Sequence, residues 1–287
     1  MGAQVAGGPA DVPTSKPSRA GRDLRAAILV GAGLGAMIIV SLLTVKETFI
    51  GIVAAAAAVS TWEIANAFKK AGINIALWPA LIGGQAIIWL SWPLERSGMM
   101  TAFVVTALVC MIWRFRGGSD GYLRDLSASV FTIAYIPLFA AFAAMLVVPE
   151  DGAGRAFAFI IGVVLSDVGG YAAGVFLGKH PMAPTISPKK SWEGFAGSLT
   201  AGAVGGALTV TMLLDGQWWQ GALFGIALVV TATAGDLVES LIKRDLGIKD
   251  MGTLLPGHGG LMDRMDSLLP SAVASWLLLH LFVPPPL

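Results

Sequence analysis

From residue 24 to its end, the chain alternates between long apolar stretches and short polar ones. Each apolar stretch is close to the roughly 20 residues that an α-helix needs to cross a bilayer. Proline inside such stretches, as at Pro79 and Pro137, is tolerated in membrane helices because neighbouring groups satisfy the freed backbone. The pattern predicts about nine transmembrane helices, at residues 24–45, 48–68, 73–92, 98–114, 127–148, 155–177, 194–214, 217–238 and 266–284.

Composition agrees with this pattern. Of the 287 residues, 55% are hydrophobic and 13% are charged, whereas soluble domains carry about 25% charged residues. We therefore expect an all-α, polytopic integral membrane protein. Small residues are dense at 52–59 and 196–207, which is typical of closely packed membrane helices. Cys110 is the one cysteine and lies in an apolar run, so we expect a small packed side chain and no disulfide.

The distribution of basic residues predicts the orientation. With the N-terminus inside, 16 of the 19 basic residues fall in cytoplasmic segments, and only Lys46, Arg96 and Arg155 fall outside. This bias follows the positive-inside rule. Residues 1–23 are rich in glycine, proline, alanine and serine, which predicts a disordered cytoplasmic tail before a single transmembrane domain at 24–287. The polar site is then cytoplasmic, in a cell inner or plasma membrane, and the C-terminus lies outside.

Most of the candidate chemistry lies in one polar stretch, residues 235–266, between two apolar segments. Charged side chains between membrane segments are energetically costly, and those that are present usually have a function. Asp236 and Glu239 are three residues apart, as are Asp263 and Asp266, so each pair can share a helix face. Carboxylates suit a divalent cation, while the basic residues and a glycine-rich loop suit phosphate. The stretch therefore predicts a site for a metal–nucleotide complex.

The same stretch carries a 27-residue motif, with SLIKR at 240–244, KD at 249–250 and PGHGGLMDRMD at 256–266. This motif resembles the signature of the CDP-diacylglycerol synthases, also called phosphatidate cytidylyltransferases. Every fixed position of that signature is filled. A match over more than ten fixed positions is far more specific than a short glycine motif.

A second motif surrounds Asp167, in LSDVGGYAAG at 165–174. It is similar to the family's Asp-x-Gly-Ala-Tyr-x-x-Gly, with Gly170 in place of alanine. A carboxylate in the middle of a membrane helix costs about 2.5–3.5 kcal/mol on insertion scales. Asp167 therefore either belongs to the site or is satisfied by a neighbouring helix.

A third motif, SPKKSWEG at 187–194, is similar to the family's Ser-Pro-Lys-Lys-Thr-Trp-Glu-Gly, and Ser191 keeps the hydroxyl of the threonine. Lys189 and Lys190 stand just before a predicted helix start, where anions bind well. Adjacent lysines at a membrane surface can also act as topology determinants or headgroup contacts. Trp192 could stack on a base or anchor its helix at the interface.

The resemblance implies that CTP and phosphatidic acid react to give CDP-diacylglycerol and pyrophosphate, a step of phospholipid biosynthesis. It implies a Mg²⁺ cofactor and leaves a second cation open. The metal ligands we expect are Asp236, Asp263, Asp266 and Glu239. The catalytic residues we expect are Asp236, Asp263, Asp266, Lys243 and Arg244. The substrate-binding residues we expect are Ser187, Lys189, Lys190, Lys249, Asp250, His258, Arg264 and Asp167.

The expected partners are CTP, phosphatidic acid and membrane lipids, with no nucleic acid, and a homodimer is left open. Two other functions are considered. A lipid kinase of the polyprenol or phytol type also uses nucleotides in the membrane, but the complete signature argues against it. A cation or phosphate transporter also holds carboxylates in the membrane, but transporters often show inverted repeats. Here no repeat is visible and the charge is one-sided.

Two further groups stay open. Glu63 lies near the cytoplasmic end of the second apolar segment and could join the polar site or pair with Lys69 or Lys70. The basic loop at 114–124 contains Arg114, Arg116 and Arg124. We expect this loop to contact lipid headgroups.

Overall fold

A computed structural model describes residues 24–254 and 259–284, with side chains from residue 31 onward. Each of the nine predicted segments contains helix. The helices are α1 (Leu24–Thr44), α2 (Lys46–Lys70), α3 (Leu77–Leu90), α4 (Glu95–Trp113), α5 (Tyr122–Ile133), α6 (Phe139–Leu146), α7 (Gly152–Leu177), α8 (Trp192–Leu214), α9 (Trp218–Asp245), α10 (Met262–Met265) and α11 (Leu268–Phe282). The predicted tail at 1–23 lies outside the described residues.

Within the part of the chain that the structure describes, seven helices are long and apolar enough to cross a membrane. In this grouping α5 and α6 form one helix, as do α10 and α11. Two shorter apolar helices, Gly31–Thr44 and α3, complete the predicted set. Large apolar side chains stay exposed on outer faces, as at Val105 and Ile112 of α4, which suits contact with lipid. The chain is a multi-pass membrane protein, and nine crossings remain a prediction.

The predicted helix at 127–148 runs as one helix, Tyr122–Leu146. A π-helical turn at Ala134–Leu138 contains Pro137, and such a turn accommodates the hydrogen bond that proline cannot make. Tyr135 in this turn is buried. Its hydroxyl donates to the carbonyl of Gly235 at 3.4 Å. This central helix therefore supports α9 at the residue before Asp236.

Glycines bring α7, α8 and α9 together, as the density of small residues at 196–207 predicts. A Cβ on Gly169 of α7 would lie 2.9 Å from the carbonyl oxygen of Gly197 on α8. A Cβ on Gly202 of α8 would lie 3.0 Å from the carbonyl oxygen of Gly225 on α9. Helix backbones can approach this closely only where side chains are absent. The close packing fixes the distance between the polar groups of α7 and those of α9.

One element departs from the all-helical prediction. Strands β1 (Pro181–Ala183) and β2 (Ser187–Ser191) form an antiparallel hairpin between α7 and α8. Prolines at positions 181, 184 and 188 exclude a continuous helix here. The lysine motif therefore lies on a strand that leads directly into α8.

The helix ends also differ from those predicted. α9 continues to Asp245 rather than 238, and α7 begins at Gly152 rather than 155. Arg155, predicted to lie in an outer loop, is instead a buried residue of α7 that pairs with Asp151 at 2.7 Å. Its guanidinium also donates to the carbonyls of Leu279 and Val283 at the end of α11. The predicted ends followed hydropathy, whereas helices continue as long as their backbone groups find partners.

Candidate active site

A cavity of about 480 Å³ opens where α7, α8, α9, the hairpin and the start of α10–α11 meet. Its wall contains residues from all three sequence motifs, which are far apart along the chain. The predicted site residues that line it are Asp167, Lys189, Lys190, Asp236, Lys243, Asp250, Asp263, Arg264 and Asp266. The fold therefore brings most of the predicted site together in one place.

α9 contributes one face of charged side chains, because Asp236, Glu239 and Lys243 follow each other at three- and four-residue spacing. The Lys190 Nζ atom on β2 lies 2.6 Å from Asp236 Oδ2. Asp236 Oδ1 also accepts a hydrogen bond from Ser240 Oγ at 3.3 Å. A lysine expected to bind phosphate is thus bonded to a carboxylate expected to bind metal.

Asp263 joins the end of α9 to the polar loop that precedes α10. Its Oδ1 atom lies 2.8 Å from Lys243 Nζ. Its Oδ2 atom accepts hydrogen bonds from the backbone N–H groups of Met251 and Gly260, both at 2.9 Å. The Asp263 side chain is 6% exposed, so these charge-assisted bonds form away from bulk water, where they are strong.

Glu239 lies fully buried behind this cluster. Lys243 Nζ is 3.4 Å from Glu239 Oε1, and the Glu239 and Asp266 side chains lie within hydrogen-bonding reach of each other. The carboxylate of Asp266 is its electrostatic neighbour and is also close to Asp236. A Cβ on Gly235 would collide with the backbone of Asp266. The close approach of α9 and α11 at this glycine therefore gathers the three carboxylates.

These carboxylates fit a hard divalent cation. Mg²⁺ prefers carboxylate, phosphate and water oxygens, and Glu239, Asp266 and Asp236 bring carboxylates close to one another. As the side chains stand, no group of three or more His, Cys, Asp or Glu residues within 24–254 and 259–284 is arranged to hold a metal. Lys190 and Lys243 occupy Asp236 and Asp263 in this arrangement. A metal at Asp236 would therefore compete with Lys190.

The hairpin is fixed to the start of α8 by side-chain caps. Ser191 is the N-cap residue, and its hydroxyl accepts from the Gly194 N–H at 3.1 Å. The Glu193 carboxylate accepts from the backbone N–H groups of Lys179 and His180 at 3.1 and 3.2 Å. An N-cap serine satisfies one of the free amides of a helix start. The motif SPKKSWEG thus encodes both the cationic strand and its attachment.

Comparison with known families decides the family of the chain. The family model described as "Cytidylyltransferase family" matches residues 25–282. The chain belongs to the cytidylyltransferase family. The predicted resemblance is confirmed, and it extends from the three motifs to nearly the whole sequence.

Curated cytidylyltransferases agree with this assignment. The phosphatidate cytidylyltransferase of Mycobacterium bovis (strain ATCC BAA-935 / AF2122/97) is 52% identical over 291 residues, covering 97% of this chain and 95% of that protein. That of Mycobacterium leprae (strain TN) is 51% identical, covering 93% and 91%. That of Helicobacter pylori (strain ATCC 700392 / 26695) is 32% identical, covering 72% and 84%.

In this family member, some predicted site residues lie away from the cavity wall. Arg244 is exposed, and its Nε–H donates to the carbonyl of Ile186 in the hairpin turn at 3.4 Å. Ser187 begins β2 opposite Ala183, and Lys249 is exposed in the loop after α9. Arg244 and Ser187 therefore contribute to the hairpin and its attachment in this arrangement. His258, with the rest of 255–258, lies outside the described residues.

Several hydroxyl groups of the cytidylyltransferase cavity were not among the predicted site residues. They belong to Ser166, Tyr171, Ser191, Ser198, Thr233 and Ser267, of which only the Ser191 hydroxyl was noted in its motif. Ser166, Tyr171 and Ser191 stand inside or beside recognised motifs, so proximity to those motifs was an available signal. Ser198 and Thr233 stand in apolar helices, where hydroxyls usually bond to their own backbone, so they gave no signal.

Contacts also answer the question about Glu63. Its Oε2 atom accepts from the backbone N–H of Met262 at 2.8 Å, while Lys69 and Lys70 are exposed. Glu63 therefore joins the polar loop.

Trp192 is 56% exposed and packs edge-on against Phe195.

The basic loop at 114–124 is not part of the cavity wall. There the buried Asp125 binds Arg114 at 2.8 Å and Arg124 at 3.0 Å. The guanidinium of Arg116 lies over the ring of Trp113, 4.5 Å from its centre. Part of the basic charge of this loop thus balances a buried carboxylate, and its expected contact with lipid headgroups stays a prediction.

Proposed function

We propose that this chain transfers the CMP moiety of CTP to phosphatidic acid, giving CDP-diacylglycerol and pyrophosphate. The family assignment and the name of the mycobacterial relatives support this reaction. The observation that carries it is the cavity that gathers lysines and carboxylates from three motifs. Such a wall suits a polyphosphate with its cation better than an apolar ligand.

The chemistry needs no activated serine, cysteine or histidine. A phosphate oxygen of the lipid is already an anion near neutral pH and attacks the α-phosphorus of CTP. One phosphorus–oxygen bond forms, and the bond from the α-phosphorus to the bridging oxygen of pyrophosphate breaks. Catalysis then depends on aligning two anionic reactants and on neutralising their charge.

The side chains divide this work by charge. Lys189, Lys190 and Lys243 would hold the phosphate groups of CTP and of the leaving pyrophosphate, because ammonium groups stabilise the charge that develops on them. Asp236, Asp263 and Asp266 of the cavity wall would hold Mg²⁺, with the buried Glu239 behind them. When bound, Mg²⁺ would supply charge neutralisation at the phosphate oxygens and help to orient CTP.

The lipid substrate would reach the cavity along α7. Tyr171 lines the cavity and is 75% exposed. Val164, Val168 and Val175 of the same helix are also exposed. Apolar side chains in this position suit the acyl chains of a lipid, while Asp167 and the lysines of the cavity lie near its phosphate. We propose that this end of the bundle is cytoplasmic, where nucleotides are available.

The proposal is tested by incubating the purified protein with labelled CTP, Mg²⁺ and phosphatidic acid and then extracting the lipids. We expect label from the cytidine ring in the lipid fraction and pyrophosphate in the aqueous one. A lipid kinase would instead place only the γ-phosphate in the lipid. Ion uptake by proteoliposomes without CTP, with no labelled lipid, would favour a transporter and overturn the proposal.

EDTA tests the cofactor in the same assay. We expect chelation to abolish product formation and added Mg²⁺ to restore it, because the carboxylates of the cavity need a counter-charge before they can accept a polyphosphate. Full activity in EDTA would remove the metal from the proposal while leaving the reaction in place.

A further inference from the structure

Glu63 of α2 is a buried carboxylate that no motif of the site includes. The residue is 2% exposed. Its Oε2 atom accepts the Met262 N–H at 2.8 Å, and its Oε1 atom has no hydrogen-bond partner among the described residues. A carboxylate is costly to bury unless something compensates for the loss of water. Its position therefore needs an explanation beyond the packing of α2.

The explanation lies in the loop between α9 and α10. Backbone N–H groups of this loop point to two carboxylates from different helices. Those of Met251 and Gly260 donate to Asp263, and that of Met262 donates to Glu63. The Glu63 and Asp263 carboxylates are electrostatic neighbours. Together the two carboxylates bind the loop backbone at Met251, Gly260 and Met262, and Glu63 does so from the N-terminal half of the chain.

Two glycines of the loop give independent support. A Cβ on Gly252 would run into the Glu63 carboxylate. A Cβ on Gly260 would lie 2.8 Å from Glu63 Oε2 and 3.0 Å from Asp263 Oδ2. At Gly252 and Gly260 the loop backbone thus lies directly against these carboxylates, and a methyl group at either position would force the backbone or a carboxylate to shift.

We infer that Glu63 is a positioning residue for the proposed reaction, which sets the place of Asp263 and Asp266 by holding the Met262 N–H. Glu63 does not line the cavity, so it acts through the loop and not on the substrates. The inference rests on the proposed function, because its main effect is read in the turnover of CTP. The inferred role requires a hydrogen-bond acceptor at position 63 but does not require that it be charged.

The test compares Glu63→Leu with Glu63→Gln in steady-state assays at varied CTP. Leucine fills similar space but cannot accept the Met262 N–H, so kcat should fall by about 10-fold or more, in the range seen for residues that orient metal ligands. The KM for CTP should change by less than about 3-fold, because the lysines of the cavity are untouched. Glutamine keeps an acceptor oxygen and should retain most of the activity.

Ser60→Ala is the matched control, because Ser60 lies one turn earlier on α2 and is equally buried. It should leave kcat unchanged. Wild-type kcat in Glu63→Leu would overturn the inference. Equal losses in Glu63→Leu and Glu63→Gln would also overturn it, because charge and not an acceptor would then be required.

Two further measurements keep the inference testable if Glu63→Leu does not fold. Gly252→Ala keeps the Glu63 side chain but forces it and the loop apart, and should lower kcat at unchanged KM; full activity would contradict the inference. Amide hydrogen exchange of the peptide that contains Met262 should be faster in Gly252→Ala and unchanged in Glu63→Gln. Exchange does not depend on the reaction, so it still tests Glu63 if the wild-type protein forms no CDP-lipid and the proposed function fails.

Discussion

Lysines and carboxylates in the cavity wall form ion pairs with each other. Two of the lysines expected to hold phosphate are bonded to carboxylates expected to hold metal, Lys190 to Asp236 and Lys243 to Asp263. In the more buried pair, Lys243 and Asp263, each partner keeps the other from being buried as a lone charge, which would be costly. Under the proposed function, substrate and metal would therefore replace these partners within the cavity.

Asp263→Asn tests the central carboxylate. Asparagine has nearly the same size but loses the charge that faces Lys243, and one of its two side-chain groups donates where Asp263 accepts from the loop. We expect kcat to fall by at least about 100-fold, because metal and loop both depend on this side chain. The measurement is kcat for CDP-lipid formation in protein purified from membranes.

Thermal unfolding in detergent accompanies this assay and shows whether the Asp263→Asn variant is folded. Near-normal turnover in the variant would contradict the role of Asp263. The assignment of the chain to its family would be unaffected.

Lys190→Ala tests the phosphate contact. Removal of one charged donor costs about 1.5–3 kcal/mol, so the KM for CTP should rise by about 10-fold or more. Lys179→Ala is the control, because Lys179 is exposed at the same end of the bundle but does not line the cavity. If both variants keep the wild-type KM, the lysines serve topology, as the charge distribution alone would allow.

Most charged residues of the three motifs line one cavity, whereas Arg244 and Lys249 lie away from its wall. The sequence could not predict which of the converging side chains pair with each other. Lys190 and Asp236 are on separate elements, and only the packing of α8 between α7 and α9 brings them within 2.6 Å. Glu63 carried one signal, a carboxylate in an apolar segment, but nothing in the sequence connects it to Met262.

At the scale of elements, close glycine contacts determine how α7, α8 and α9 pack. Gly225→Ala tests this. A methyl group there would collide with the carbonyl of Gly202, and such overpacking typically costs about 1–3 kcal/mol. We expect a lower unfolding midpoint in detergent. Gly33→Ala is the control, since the described structure shows no atom within 4 Å of a Cβ at that position of α1.

A Gly225→Ala variant that is as stable as Gly33→Ala would mean that the helices can separate without loss. The glycines would then have another role, such as flexibility of α9.

The existence of the helices followed from hydropathy, because each apolar segment must satisfy its backbone within the bilayer. Their ends did not. α9 extends to Asp245 because its polar side chains find partners in the bundle, as Lys243 does at Glu239 and Asp263. The hairpin at 181–191 was missed because its strands are short, and strands of three to five residues give little periodic signal.

At the scale of the whole molecule, the one-sided charge predicts the orientation. The single cysteine, Cys110, is buried, so an introduced cysteine can report on one loop at a time. Lys249→Cys, at the cavity end, should react with an impermeant reagent only after the membrane is opened. Glu150→Cys, in the exposed loop between α6 and α7, should react in intact cells.

A reporter fused after Leu287 completes this test and should be active only outside the cytoplasm. If the reporter were located in the cytoplasm, the number of membrane crossings could not be odd, even if both cysteine variants reacted as expected. The fold class was predictable because composition and length constrain a membrane protein strongly. The number of crossings was less predictable from the sequence, because α3, with 14 residues, is short for a bilayer.

The paired lysines and carboxylates have a consequence for the order of events at the membrane. Under the proposed function, a cation that bound Asp236 alone would leave Lys190 without a counter-ion, and a nucleotide that bound Lys190 alone would leave Asp236 without one. The same holds for Lys243 and Asp263. A nucleotide that carried its cation would bring both signs at once, so these two ion pairs would favour the complex over either of its parts.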